Sequence, residues 1–111
     1  MHEKNLKIGY LLDFYGEVLS ERKRNVLDMY YNEDFSLSEI AEEIGISRQG
    51  VRDLIKKAEE ELRFFEEKLG ISRKMEMLDK NVTELLILAK EQNAPEDICD
   101  GIAELKKQII Q

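Results

Sequence analysis

Ser36-Leu37-Ser38-Glu39-Ile40-Ala41-Glu42-Glu43-Ile44-Gly45-Ile46-Ser47-Arg48-Gln49-Gly50-Val51-Arg52-Asp53-Leu54 is the stretch that decides the fold. Ser36 followed by Glu39 makes a capping box, so a helix opens just after Ser36. Gly45 stands where a tight turn needs a left-handed residue, and Ser47 can cap a second helix. Ile40, Ile44, Val51 and Leu54 can interdigitate between two helices that cross steeply, while Ala41 is small where the second helix comes closest. Helix, tight turn and helix over residues 36–57 form a helix-turn-helix, whose second helix can enter a DNA major groove.

The flanks read as helices too. Residues 6–18 place Ile8, Leu11, Leu12, Phe14, Tyr15 and Val18 on one broad face. Ser20 caps a second helix to about Tyr31, with Val26, Leu27 and Tyr30 inward, and Asn32-Glu33-Asp34 is a loop. The helix opening at Ser47 meets no stop signal before Gly70. A wheel at about 100° per residue puts Val51, Leu54, Ile55, Ala58, Leu62, Phe65 and Leu69 in one core stripe. Its opposite side carries Arg48, Gln49, Arg52 and Lys56, after which Glu59, Glu66 and Glu67 take over; Glu59-Glu60-Glu61 reads as a solvated run.

A fifth helix is expected over residues 75–92, and a sixth after Asn93-Ala94-Pro95, where Ile98, Ile102, Leu105 and Ile109 make a narrow seam. The fold expected is therefore all-α: a helix-turn-helix domain over residues 1–70, then a helical hairpin over residues 71–111. The hairpin can cover Phe64, which lies off the core stripe. The fifth helix has more apolar surface than one partner helix covers, so a homodimer through the C-terminal helices is expected.

Composition narrows the function. The 111 residues are 42% hydrophobic and 37% charged, with one proline and six glycines, which suits one small helical domain or a domain with an extension. The 24 acids against 17 bases give a net charge of −7. An acidic total lowers the affinity expected for DNA at physiological salt without excluding it. Cys99 is the single cysteine, so no internal disulfide forms, and a reduced cytoplasmic setting is expected. Neither a signal peptide nor a membrane span is evident, since Asp13 and Glu17 interrupt the N-terminal apolar stretch.

Catalytic chemistry finds no foothold. His2 is the lone histidine and falls in a fraying terminus, no cysteine–histidine cluster has metal spacing, and no glycine-rich loop cradles a phosphate. The expectation is no enzyme, no cofactor, no metal and no small-molecule substrate. Arg48 and Gln49, near the start of the second motif helix, can reach base edges, arginine to guanine and glutamine to adenine. Arg52 and Lys56 can then hold phosphates, with Arg22, Lys23 and Arg24 on the earlier helix gripping the flanking backbone. The alternative is a solvated helix face on which these cations pair with Asp53, Glu59 and Glu60.

Leu11-Leu12-Asp13-Phe14-Tyr15, Ser36-Leu37-Ser38-Glu39-Ile40-Ala41 and Ser47-Arg48-Gln49 with Val51 resemble the YlxM family of small bacterial proteins, also called p13 or UPF0122, over essentially the whole chain. The motif is similar to region 4 of bacterial sigma factors, where such a helix reads promoter DNA. The resemblance implies a regulator-like helix-turn-helix protein whose genes neighbour those of the signal recognition particle, with a role in that pathway. The partners implied are duplex DNA or the particle's RNA or protein. The competing expectation is an adaptor that keeps the motif as a scaffold and binds through Phe64 and the tail helices. Three positions depart from the family pattern: Gly50 replaces a usual alanine, Arg52 a tyrosine and Leu54 an asparagine. Gly50 alone weakens a helix by roughly 0.5–1 kcal/mol relative to alanine.

Overall fold

A computed structural model describes residues 5–109 and contains six α-helices; His2 lies outside the described residues. Asn5 starts α1 (Leu6–Tyr15) by accepting the Lys7 N–H on its side chain at 2.9 Å. A 3-10 turn (Gly16–Val18) reverses the chain and leaves Val18 62% exposed, not inward as the helical wheel expects, because the helix has ended before reaching it. Leu19 takes the buried place instead.

Ser20 caps α2 (Glu21–Leu27), which widens into a π-turn over Asp28–Asn32. There the Glu33 N–H reaches back to the Asp28 carbonyl at 3.0 Å and the Phe35 N–H to that of Met29 at 2.8 Å. The extra residue in that turn carries the helix past its expected end and keeps Tyr30 buried beside a half-buried Tyr31. Asp34, at φ 60°, turns the chain into the helix-turn-helix.

In α3 (Leu37–Ile44) the Ser36–Glu39 capping box is complete in both directions. Gly45 follows at φ 76° and ψ 35°, with its N–H on the Ala41 carbonyl, and Ser47 caps α4 (Arg48–Leu69) by accepting the Gly50 N–H at 2.9 Å. Gly70, at φ 62°, stops α4 after 22 residues, roughly 33 Å. Along this rod α1, α2 and α3 all pack, and Val51, Ile55, Ala58 and Leu62 are fully buried against Ile8, Leu11, Leu27 and Ile40. Each large aliphatic side chain so buried stabilises the fold by about 1.5–3 kcal/mol. Leu54 and Phe65 are half-buried, whereas Leu69, on the last turn, is 59% exposed.

The described chain divides after Gly70 into two compact units. The second consists of α5 (Ile71–Glu91) and α6 (Glu96–Ile109), joined by a turn in which Asn93 has φ 55°. α5 begins four residues before the expected Met75: Ile71, one turn ahead of Met75, continues the same apolar stripe back to the Gly70 stop. An ion pair between Asp79 and Lys106 at 2.7 Å ties α5 to α6.

Candidate nucleic-acid interface

Ser47 fixes where the second motif helix begins, so Arg48 and Gln49 are its first two residues, and both are exposed. They stand at the positive end of the helix dipole, where side chains and backbone N–H groups suit anionic ligands. Gln49 is not free-swinging: its Nε2 donates to the Asp53 carboxylate at 2.9 Å, one turn on. Lys56 is exposed two turns from Arg48. Arg52, between them, is half-buried, and its Nε is shielded from solvent with no hydrogen-bond partner. A guanidinium held that way has its terminal nitrogens, rather than its whole fork, to offer a phosphate.

The α2 cations separate into three environments. Arg22 is exposed. Lys23 is already engaged, its Nζ 2.6 Å from the Glu61 carboxylate in the middle of α4. Arg24 is half-buried and shares the lining of an open cavity with Asp13, Glu17 and Asp28. The structure thus brings Arg48, Gln49, Arg52 and Lys56 together on the first turns of α4, and it ties Lys23 to α4 while Arg24 faces acids.

The acids expected to flank this face behave differently from their wheel positions. Glu59 is 3% exposed and accepts a hydrogen bond from the Tyr31 hydroxyl; Glu66 is 7% exposed and accepts from the Tyr15 hydroxyl at 2.7 Å. Neither belongs to a solvated run. Their side chains turn inward, so the exposed surface on that side of α4 is left to Arg63, with Glu60 and Glu67 in solvent. Burial, and then the Glu59 carboxylate, push the Tyr31 hydroxyl well above its ordinary range. No spacing rule flags these pairs, which join residues 28 and 51 positions apart.

Gly50 also finds a local reason. A Cβ there would lie 3.2 Å from the Ser47 Oγ that caps the helix and 3.3 Å from Ile46 Cδ1. Ile46, half-buried in the turn, packs onto the core with Ala41, Ile44 and Leu54. The glycine lets the start of α4 close tightly on the turn.

Among the described residues no group of three or more histidines, cysteines, aspartates or glutamates is placed to hold a metal ion. No described helix is long and apolar enough to cross a membrane.

Comparison with known proteins gives these features a family. A family model, UPF0122, described as "Putative helix-turn-helix protein, YlxM / p13 like", matches residues 2–103. A UPF0122 protein of Clostridium perfringens (strain SM101 / Type A) is 42% identical over 109 residues, covering 97% of each chain. One from Thermoanaerobacter sp. (strain X514) is 42% identical over 113 residues, covering 98% of this chain and 96% of its own. Another, from Clostridium kluyveri (strain NBRC 12016), is 46% identical over 79 residues, 71% of each. This is not a known enzyme family. With its model matched across nearly the whole chain and relatives aligned over nearly their full length, this chain belongs to the UPF0122 family of YlxM / p13-like helix-turn-helix proteins.

Proposed function

We propose that the chain is a non-enzymatic, cytoplasmic DNA-binding regulatory protein that acts in the signal recognition particle pathway and self-associates through its C-terminal helices. The observation that carries DNA binding is the exposed Arg48–Gln49 pair on a serine-capped helix start, presented by a complete helix-turn-helix. Arg48 and Gln49 read base edges, while Lys56, Arg22 and the outer nitrogens of Arg52 meet phosphates. The pathway assignment rests on the family resemblance alone.

A second reading, an adaptor that uses the motif as a scaffold, has its own support: Lys23 is paired with Glu61, Gln49 with Asp53, and the Arg52 Nε is shielded from solvent. Fluorescence titrations against duplex DNA, signal-recognition-particle RNA and the particle's protein, each at several salt concentrations, separate the two. DNA binding predicts a steep salt slope that Arg52→Ala and Lys56→Ala each make shallower by about 0.9. Tight binding of the protein component, with a flat slope toward DNA, favours the adaptor.

A further inference from the structure

Two helices end at one groove. The helix that opens at Glu21 closes, after its π-turn, at Glu33, and α3 holds Glu43 in its last turn. Both side chains line an open cavity of about 550 Å³, together with Asn25, Asp28, Met29 and Phe35. That cavity shares Asn25 and Asp28 with the smaller one lined by Asp13, Glu17 and Arg24, so the two run together along α2. Met29 and Phe35 are half-buried, packed against the core on one side and lining the groove on the other. The remaining lining is acidic: Asp13, Glu17, Asp28, Glu33 and Glu43 stand against Arg24, the one cation among its described residues. Asp28 accepts from Asn32 Nδ2 at 2.8 Å. The carboxylates of Asp13, Glu17, Glu33 and Glu43 form no hydrogen bond or ion pair with any described residue. Glu33 and Glu43 also sit where a helix disfavours them, because the unpaired carbonyls at its end already hold negative charge. They weaken the helices they close and add to the negative field over the groove.

We propose that this groove binds a cationic, amphipathic segment of a partner protein. Its lysines or arginines meet the carboxylates, and an apolar side chain rests on Met29 and Phe35. Charge fixes the sign of the occupant, since five carboxylates and two helix ends repel a polyanion and attract a cation. The apolar lining calls for more than charge, and the flexible thioether of Met29 adapts to side chains of different shape. Openness to solvent suits a chain laid across the groove, as an amphipathic helix lies in one, better than an enclosed small molecule. A metal ion fits less well, because no three carboxylates among the described residues are placed to hold one. The groove shares no residue with the Arg48–Lys56 surface, so the inference depends neither on DNA binding nor on self-association.

The probe is a labelled helical peptide with leucines along one side and lysines and arginines flanking them, titrated into the full chain by fluorescence anisotropy. Saturable binding below about 1 mM is expected, with a shift of the Met29 methyl resonance. Because the whole chain is acidic, the control removes equal charge elsewhere. Glu33→Gln with Glu43→Gln should weaken binding roughly tenfold, whereas Glu60→Gln with Glu67→Gln on α4 should weaken it less than about twofold. The groove pair should also hold or raise the melting temperature, since it relieves two helix ends. Equal weakening by the two pairs reduces the binding to net charge and overturns the proposal. Loss of stability along with binding in the groove pair makes these carboxylates structural and overturns it as well. Undiminished binding after serines replace the peptide's leucines excludes an amphipathic occupant. Displacement of the peptide by one magnesium or calcium ion per chain makes the groove an ion site instead. Absence of saturable binding below about 1 mM ends the proposal outright.

Discussion

A carboxylate taken out of water is tolerated only where donors replace its hydration. Tyr31 supplies such a donor to Glu59, and Tyr15 to Glu66. Tyr31→Phe keeps the ring's packing and removes the donor, so a loss of about 1–3 kcal/mol is expected in urea unfolding. The same pair sets an alkaline limit. Tyr31 holds its proton more tightly folded than unfolded, so its contribution is complete below pH 10.0, its ordinary value, and is lost as pH rises above that. Unfolding free energies measured at rising pH should fall above that point in the unaltered protein and fall less in Tyr31→Phe; parallel declines would refute the assignment. Gly50 poses a balance at the same scale. Alanine there gains roughly 1 kcal/mol of helix propensity but presses on Ser47 Oγ and Ile46 Cδ1. The Ile46 methyl can yield and the capping hydroxyl cannot without loosening its hydrogen bond, so Gly50→Ala should change stability by less than about 0.5 kcal/mol. A full 1 kcal/mol gain would mean that the crowding carries no penalty.

The helices differ in how much of themselves they reveal in sequence. Starts at Ser20, Ser36 and Ser47 and stops at Gly45 and Gly70 are local chemistry, a hydroxyl for orphan N–H groups and a glycine for positive φ, and these are legible. The α4 core stripe is legible for the same reason, since Val51, Ile55, Ala58 and Leu62 need only helical spacing. What escapes is set by distant neighbours: the inward turn of Glu59 and Glu66, the Lys23–Glu61 pair and the shielding of Arg52 depend on how α1, α2 and α4 meet. The candidate interface is thus readable as a position, the first turns of α4, but not as an inventory of free cations. Because the start of α4 rests on one hydroxyl, Ser47→Ala should cost about 0.5–2 kcal/mol and loosen the turn that presents Arg48. The start of α3 carries a pH signature instead. The Ser36 backbone N–H, with its side chain next, holds the Glu39 carboxyl below its ordinary 4.5. The capping contribution is therefore present above that value and is lost as pH falls through the lower folded one, so amide exchange in the first turn of α3 should speed up there before the rest of the domain opens.

Across the whole molecule, acidity and division into two units set the remaining behaviour. A net charge of −7 opposes any polyanion at long range, so contact through α4 must rely on its local cations and should weaken steeply as salt rises. The unit that carries α4 encloses its own core, from Ile8 and Leu11 through Val26 and Ile40 to Ile55 and Leu62. The α5–α6 unit has Val82 as its one buried hydrophobic among the described residues. Two isolated helices cannot offset their ordering entropy with so little burial, since helix nucleation is costly and small units need further contacts. A fragment of residues 1–70 should therefore unfold cooperatively by circular dichroism and retain most of its helix. A fragment of residues 71–111 should show little helix when dilute and gain it with concentration, as helices stabilised by association do. Concentration-independent, cooperative melting of the second fragment would show that the hairpin is stable alone; a non-cooperative first fragment would show that its core depends on the rest of the chain.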